Sequence, residues 1–149
     1  MVRKLGFGFA LVAGLFLASA HAGEGAWGNN YKDALATAKK EKKVVLADFT
    51  GSDWCGWCIK LHKEVFDTEE FKTWASKKCV LLELDFPKKK KLADEEKAQN
   101  DELAKKFGIK GFPTIIFMDA EGKELGRSGY VPGGPAEWIK KAEEVLAKK

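Results

Sequence analysis

Residues 44–58 read VVLADFTGSDWCGWC, and this stretch decides the fold. Its first six positions form a continuous apolar run interrupted only by Asp48, rather than an alternating pattern. A strand of this composition is covered on both faces, as at the centre of a parallel sheet. The next four positions predict a turn, and helical periodicity follows from about Trp54. Cys55 and Cys58 are therefore expected where a buried strand passes into a helix.

The spacing of these two cysteines puts both thiols on one helical turn, where they can close a small disulfide ring. Unpaired N–H groups and the helix dipole stabilise an anion at a helix N-terminus, which lowers the pKa of a thiol placed there. We therefore expect Cys55 to attack a substrate disulfide and Cys58 to resolve the resulting mixed disulfide. A redox-active disulfide of this kind needs no other cofactor.

Two other uses of the cysteines fit the sequence less well. A structural zinc site needs four ligands, and the chain beyond position 22 offers only Cys55, Cys58, Cys79 and His62, without a second C-x-x-C pair. A purely structural bridge would close so small a ring that it constrains little chain. We therefore expect no metal. Cys79 is interpreted as a small buried side chain, and His62 as a surface helix residue.

Periodic segments on both sides of the cysteines predict a three-layer α/β sandwich with a mixed central sheet. Helices are expected at 31–42, 54–77 with a break at 67–68, 94–107 and 136–147, and further strands at 80–85, 114–118 and 124–128. Strands separated by helices are expected to be joined by right-handed parallel crossovers, whereas the short loop containing Gly122 joins the last two strands antiparallel. The predicted order is an extra N-terminal helix followed by a β-α-β-α-β-β-α core.

The first 22 residues predict a secretory signal peptide rather than a part of the fold. Arg3 and Lys4 precede an apolar run at 5–18, and residues 20–22 (Ala-His-Ala) offer a small-x-small cleavage site. A membrane anchor or a buried helix is the alternative, but the run is short for a membrane span. Residues 23–149 would then form one domain, exported to the periplasm or secreted, with no stable membrane insertion after cleavage.

Composition excludes several classes of protein. The 149 residues are 45% apolar and 32% charged, which argues against disorder, and 26 Lys+Arg against 22 Asp+Glu give a net charge of +4. Beyond position 22 the single arginine is Arg127, and the lysines are interleaved with acids, so we expect no nucleic-acid partner. The densest basic run, at 88–91, is interpreted as a solvated loop because acids follow at 94–96.

Three segments together resemble the thioredoxin superfamily. They are Ala47-Asp48-Phe49 in the buried strand, Trp54-Cys55-Gly56-Trp57-Cys58, and Gly111-Phe112-Pro113-Thr114 before the third strand. More narrowly, Phe-Thr-Gly-Ser at 49–52, Glu-Val-Phe at 64–66 and Leu-Asp-Phe-Pro at 84–87 are similar to small secreted bacterial thioredoxin-like proteins. The resemblance runs from about position 44 to the C-terminus. It implies a thioredoxin-like fold and thiol–disulfide oxidoreductase activity.

The resemblance also implies a substrate-binding surface around the cysteines. Pro113 would be a cis-proline facing the pair, and the backbone of Phe112 would bind an extended substrate segment as an added strand. Trp54 and Trp57, with Gly56 beside them, would form an apolar collar that grips peptide-like partners. The expected partners are protein or peptide disulfides and thiols, together with an unidentified redox protein that recharges the dithiol. The protein is expected to act as a monomer.

For Asp48 the resemblance implies a buried base that takes the proton from Cys58 during resolution. The acid lies seven residues before Cys55, however, one more than in typical thioredoxins. The extra residue leaves a second possibility open, in which Asp48 turns toward lysines of a neighbouring helix and forms a structural ion pair.

The dipeptide Gly56-Trp57 between the cysteines differs from the Gly-Pro of reductase-like thioredoxins and is closer to disulfide isomerases. The direction of electron flow therefore stays open, with reduction as the first hypothesis and isomerase-like shuffling as the second. A non-enzymatic module that keeps the fold to grip a partner protein or a metal is the alternative from another class.

Overall fold

The computed structural model describes residues 26–148, so the predicted signal peptide lies outside the described residues. The elements are, in chain order, α1 (Tyr31–Glu41), β1 (Val44–Thr50), α2 (Gly56–Leu61), a π-helical segment (His62–Phe66), α3 (Glu69–Lys78), β2 (Cys79–Asp85), α4 (Asp94–Lys106), β3 (Thr114–Met118), β4 (Glu124–Ser128) and α5 (Gly134–Leu146). They form the predicted three-layer α/β sandwich, which is confirmed. None of the helices between residues 26 and 148 has the length and apolar character needed to span a membrane.

The central sheet has the strand order β2-β1-β3-β4, which places the apolar run of β1 in its interior. All residues of β1 after Val44 are buried, as its composition predicts. β1 pairs with β2 in parallel, and β3 pairs antiparallel with both β1 and β4.

The antiparallel direction of β3 corrects the prediction of a parallel crossover between β2 and β3. Asp85 at the end of β2 pairs with Thr50, and Thr114 at the start of β3 pairs with the adjacent Phe49. The connection through α4 therefore leaves and re-enters the sheet at the same end. A strand that starts where the previous strand stopped must run in the opposite direction, even with a helix between the two.

Two apolar cores cover the two faces of the sheet. The odd-numbered side chains of β1 pack with α1 and α4: Val45, Ala47 and Phe49. On the opposite face, Leu46 packs with α2, the π-helical segment, α3 and α5. Because successive strand side chains point to opposite faces, Asp48 and Thr50 lie on this second face. The buried acid thus faces the layer that carries Cys58.

The long helical stretch after the cysteines is divided into three parts. Thr68 caps α3, because its hydroxyl oxygen accepts the N–H of Phe71, so the predicted break at 67–68 is confirmed. The π-helical segment ahead of it starts at His62 and was not predicted. Such wide turns recur at functional sites, since they redirect side chains that an α-helix would aim elsewhere.

Candidate functional site

The corner between β1 and α2 is fixed to the end of β2. The backbone N–H of Ser52 donates to Asp85 Oδ1 at 2.9 Å, and the Ser52 hydroxyl donates to Asp85 Oδ2 at 2.6 Å. The N–H of Cys55 donates to the carbonyl of Gly51 at 2.8 Å. These bonds accommodate the extra residue before Cys55 in an ordered turn, so the cysteine still reaches the start of the helix.

Cys55 and Cys58 form a disulfide at the first turn of α2. Cys55 is the N-cap residue, and its sulfur accepts the N–H of Cys58 at 3.2 Å. Both are buried, but Cys55 keeps 6% of its surface exposed and Cys58 only 1%. An N-cap sulfur lies next to unpaired backbone N–H groups, which favour a negative charge on that atom in the reduced protein. The two sulfurs are therefore chemically unequal.

The loop before β3 contacts Trp54, the residue that precedes Cys55. The peptide bond between Phe112 and Pro113 is cis. The Phe112 ring meets the Trp54 ring edge to face, with centroids 5.8 Å apart. Trp54 is held further by its indole N–H, which donates to the carbonyl of Phe86 at 2.7 Å.

Trp54 and Trp57 differ in how firmly they are placed. The packed and hydrogen-bonded Trp54 is 37% exposed, whereas Trp57 is 59% exposed and contacts Tyr130 with ring centroids 5.0 Å apart. Gly56 has open space where a side chain would begin. The structure thus presents two aromatic rings and a bare backbone segment beside Cys55.

Asp48 and His62 form a pair that the sequence did not predict. The Asp48 carboxylate is wholly buried, and its Oδ2 lies 2.9 Å from His62 Nε2. His62 is therefore a half-buried partner of the acid rather than a surface residue, which corrects the prediction. The ion pair with lysines of a neighbouring helix is also wrong, because the contact is to a histidine. Trp27 and Phe66 pack against the imidazole ring.

Burial and the histidine act in opposite directions on the charge of Asp48. Burial raises the pKa of Asp48, the hydrogen bond and charge of His62 lower it, and the net shift is upward. Burial lowers the pKa of His62, but the hydrogen bond and charge of Asp48 outweigh this and the net shift is again upward. Each member of the pair therefore holds a proton more tightly than it would in water.

An open cleft of about 310 Å³ runs beside Cys58, with Thr50, His62 and Glu83 also in its wall. Two buried oxygen atoms on this face of β1 have no hydrogen-bond partner within residues 26–148: Asp48 Oδ1 and Thr50 Oγ1. Burial, followed by the charge of Asp85, raises the pKa of Glu83. The side of the disulfide next to Cys58 is thus polar, whereas the side next to Cys55 is aromatic.

Cys79 is not part of the site. It pairs with Val44 at the opposite end of β1 from the active-site corner, and it is 4% exposed. Burial raises its thiol pKa to about 12, which makes it an unreactive core residue. Across residues 26–148, no three His, Cys, Asp or Glu side chains come together in a way that could hold a metal ion.

Residues 31–145 match the family model described as a thioredoxin-like domain. The chain belongs to the thioredoxin-like family. This thioredoxin-like chain is 40% identical over 117 residues to the disulfide bond reductase DsbH of Chlamydia pneumoniae, across 78% of its own length and 70% of that protein. A solved structure described as DsbH oxidoreductase superposes with a TM-score of 0.78 at 39% identity, covering 83% of this chain and 85% of the other.

Longer relatives contain a region similar to this thioredoxin-like chain. The thiol:disulfide interchange protein DsbD of Actinobacillus pleuropneumoniae is 38% identical over 92 residues, but the chain spans only 14% of its length. A thioredoxin from Thermus thermophilus, with a TM-score of 0.61 at 22% identity, shares the fold. The family and its C-x-x-C pair make the protein a thiol–disulfide oxidoreductase whose redox group is its own cysteine pair.

Proposed function

We propose that this protein is an exported disulfide reductase in which Cys55 attacks the substrate and Cys58 resolves the intermediate. The observation that carries the proposal is the inequality of the two sulfurs. Cys55 is the N-cap of α2 and the more exposed member, whereas Cys58 lies behind it against the polar cleft. A nucleophile needs access and a stabilised thiolate, and the resolving thiol needs neither until the first step is complete.

The reaction proceeds in two exchanges that move two electrons to the substrate. The Cys55 thiolate attacks one sulfur of the substrate disulfide, and the other substrate sulfur leaves as a thiolate. Cys58 then loses its proton and attacks the Cys55 sulfur. This step forms the Cys55–Cys58 disulfide and releases the second substrate thiolate, so the dithiol is oxidised and the substrate reduced.

Asp48 is the proposed acceptor of the Cys58 proton. Its carboxylate faces the same layer as Cys58, and its Oδ1 has no hydrogen-bond partner among the described residues. Its partner His62 donates its backbone N–H to the Cys58 carbonyl, one helical turn away. A base with a raised pKa is better matched to a thiol than an ordinary carboxylate.

The proposed substrate is an extended, peptide-like segment that carries the disulfide. It would pair with the backbone near Phe112 and lie across the aromatic rings of Trp54 and Trp57. Gly56 leaves the approach to Cys55 open. We further propose that the protein acts as a monomer.

Reduction is proposed over isomerisation because of the relative named a disulfide bond reductase, which is similar over 78% of this chain. Export is proposed because the first 22 residues have basic residues first, then an apolar run, then small residues, which is the order typical of a secretory signal peptide. An oxidising compartment would need a second redox protein to return electrons to the dithiol.

A redox titration of the purified protein tests the proposed direction. Equilibration of the cysteine pair with defined thiol–disulfide buffers is expected to give a potential near that of thioredoxin, about −270 mV. Multiple-turnover reduction of a disulfide-bonded protein should accompany it. A potential near −120 mV would make the protein an oxidant, and at most one equivalent of exchange would overturn the enzymatic role.

A further inference from the structure

We propose that His62 is a positioning residue that keeps the buried Asp48 carboxylate ionised and releases a proton to solvent when Asp48 takes up the proton of Cys58. This inference rests on the proposed function, because it concerns the resolution step by Cys58. It assigns a role to the one histidine that the chain carries beyond position 22.

The geometry makes His62 a link between a buried acid and water. Asp48 has no exposed surface, whereas 24% of the His62 side chain is exposed. The contact between Asp48 Oδ2 and His62 Nε2, at 2.9 Å, is the one side-chain hydrogen bond of this carboxylate within the described residues. His62 also lines the open cleft beside Cys58. The buried pair can therefore exchange a proton with solvent at the exposed edge of the imidazole ring.

The charged groups around the pair favour a cationic histidine. The acids facing it are Asp48 on β1, Glu83 and Asp85 on β2, and Asp67 after the π-helical segment. The basic groups are Lys63, which lines the same cleft, and Lys90, which forms an ion pair with Asp85 at 2.7 Å. Acids thus outnumber bases near the ring, and a proton on His62 compensates part of their repulsion.

An unpaired carboxylate in this position would be neutral and unable to act as a base. With protonated His62 beside it, Asp48 stays ionised and its free Oδ1 can accept the Cys58 proton. When Oδ1 takes up the Cys58 proton, His62 releases the proton of its other ring nitrogen to water or buffer and keeps the Nε2–H that it donates to Oδ2. One proton thus leaves the site for each resolution step, and the net charge of the pair does not change. When the disulfide is next reduced, Asp48 returns its proton to the Cys58 thiolate and His62 takes one up from water.

The His62→Gln variant tests this role, because an amide can still donate to Asp48 but does not titrate. Single-turnover kinetics should separate attack by Cys55 from resolution by Cys58 between pH 5 and pH 9. We expect the rate of attack to change less than about twofold. The rate of resolution at pH 7 should slow at least about tenfold, and its pH profile should lose the step that histidine titration causes. Lys39→Gln, at an exposed position of α1 on the other face of the sheet, should keep the wild-type profile.

A measurement on the unmodified site keeps the inference falsifiable if His62→Gln unfolds. In a chain that starts at Gly23, the imidazole NMR signals belong to His62 alone. The midpoint of their titration should lie above 6.5 and fall in the Asp48→Asn variant. A midpoint unmoved by Asp48→Asn, or a wild-type resolution profile in His62→Gln, would overturn the inference. Failure of Cys58→Ser to trap substrate would instead overturn the proposed function.

A second inference concerns the lysine loop, residues 88–91, which is exposed as predicted but firmly placed. The carboxylate of Asp53, two residues before Cys55, accepts the backbone N–H groups of Lys88, Lys89 and Lys90 at 2.9, 2.8 and 3.0 Å. Three such bonds fix the loop to the active-site turn. The Asp53 carboxylate uses its hydrogen bonds on the backbone, and its charge also acts on the side chains of Lys89 and Lys90.

The lysine loop lies beside the aromatic surface around Cys55. Lys88 Nζ is 3.8 Å from the centroid of the Trp54 ring, and Lys60 Nζ is 5.1 Å from that of Trp57. Within residues 26–148, no carboxylate comes within 4.0 Å of the ammonium groups of Lys88, Lys89 or Lys91. Lys60 and Lys90 form ion pairs with Glu64 at 3.8 Å and Asp85 at 2.7 Å, so Lys88, Lys89 and Lys91 carry the surplus of positive charge. We infer, on the basis of the proposed function, that this surface favours substrates whose disulfide is flanked by acidic residues, which this surplus attracts.

Two synthetic disulfide peptides that differ only in glutamate or lysine flanks test this preference. The wild-type protein should reduce the acidic peptide with a several-fold higher kcat/KM, and the ratio should shrink in high salt. Lys88→Gln combined with Lys89→Gln should bring the ratio toward one. Lys140→Gln combined with Lys141→Gln, on α5, should leave it unchanged. Equal kcat/KM for both peptides, or a ratio unaffected by the loop variant, would overturn the inference.

Discussion

Asp48 lies wholly buried on β1, and its one side-chain hydrogen bond among residues 26–148 is to His62. Both members of the pair have pKa values above their ordinary ones, 3.8 for Asp48 and 6.5 for His62. A raised pKa means that the folded state binds a proton more tightly than the unfolded state does. The free energy of unfolding should therefore fall as the pH rises above 3.8, where Asp48 loses its proton, and again above 6.5, where His62 loses its proton.

Replacement of Asp48 with Asn should remove both of these pH dependences. The amide has nearly the same volume and does not ionise, so the variant should gain stability relative to wild type as the pH is raised from 5 to 8. Denaturant melts at the two pH values measure the difference. Resolution by Cys58 should slow by about a hundredfold while the first attack is hardly affected. A variant with a wild-type pH dependence of stability would show that the pair does not share a proton as described.

The roles at the residue scale were only partly predictable from the sequence. The C-x-x-C spacing and the position after a buried strand suffice to single out Cys55 and Cys58. The partner of Asp48 was missed, because a histidine four residues after Cys58 on a helix has no distinctive pattern of its own. The signal available was that an acid inside an apolar strand needs a partner, and His62 shares a helix face with Cys58.

At the scale of elements, local chemistry decided where helices begin. The side-chain oxygens of Asn30 and Thr68 accept backbone N–H groups at the starts of α1 and α3. The π-helical segment between α2 and α3 has no such signal. It depends on tertiary packing, with Phe66 against Phe71 and Trp138 in the core.

The Thr68→Ala variant should destabilise the protein by about 1 kcal/mol, because it removes the N-cap of α3. The Thr68 hydroxyl also donates to the Val65 carbonyl at 2.6 Å, so it closes the end of the π-helical segment as well. Thr73→Ala, at an exposed position inside the same helix, is the matched control and should be neutral or slightly stabilising. Equal free energies of unfolding for the two variants would contradict the capping role.

For the whole molecule, the continuous apolar character of β1 was enough to predict a sheet covered on both faces. The direction of β3 was not predictable from the alternation of helices and strands. It depends on which end of the sheet the connection through α4 returns to, and this is decided by packing far apart in sequence, such as Asn100 Nδ2 donating to the Asp85 carbonyl at 2.9 Å.

Cys79 should report on global unfolding, because it is buried in the core and its thiol pKa is raised to about 12. Iodoacetamide treatment of the reduced native protein should label at most the two active-site cysteines, with the third label appearing only in denaturant. Mass spectrometry counts the labels, and Cys79→Ala should remove the third one. Labelling of Cys79 at the same rate in native and unfolded protein would refute its burial.

The central claim, that Cys55 attacks and Cys58 resolves, is tested most directly by trapping. Cys58→Ser and Cys55→Ser proteins are each mixed with a disulfide-bonded protein substrate, quenched with acid and separated without reductant. Cys58→Ser is expected to accumulate a covalent adduct that disappears on reduction, and Cys55→Ser is expected to accumulate almost none. Equal trapping by both variants, or trapping by Cys55→Ser alone, would contradict the assignment of the two sulfurs.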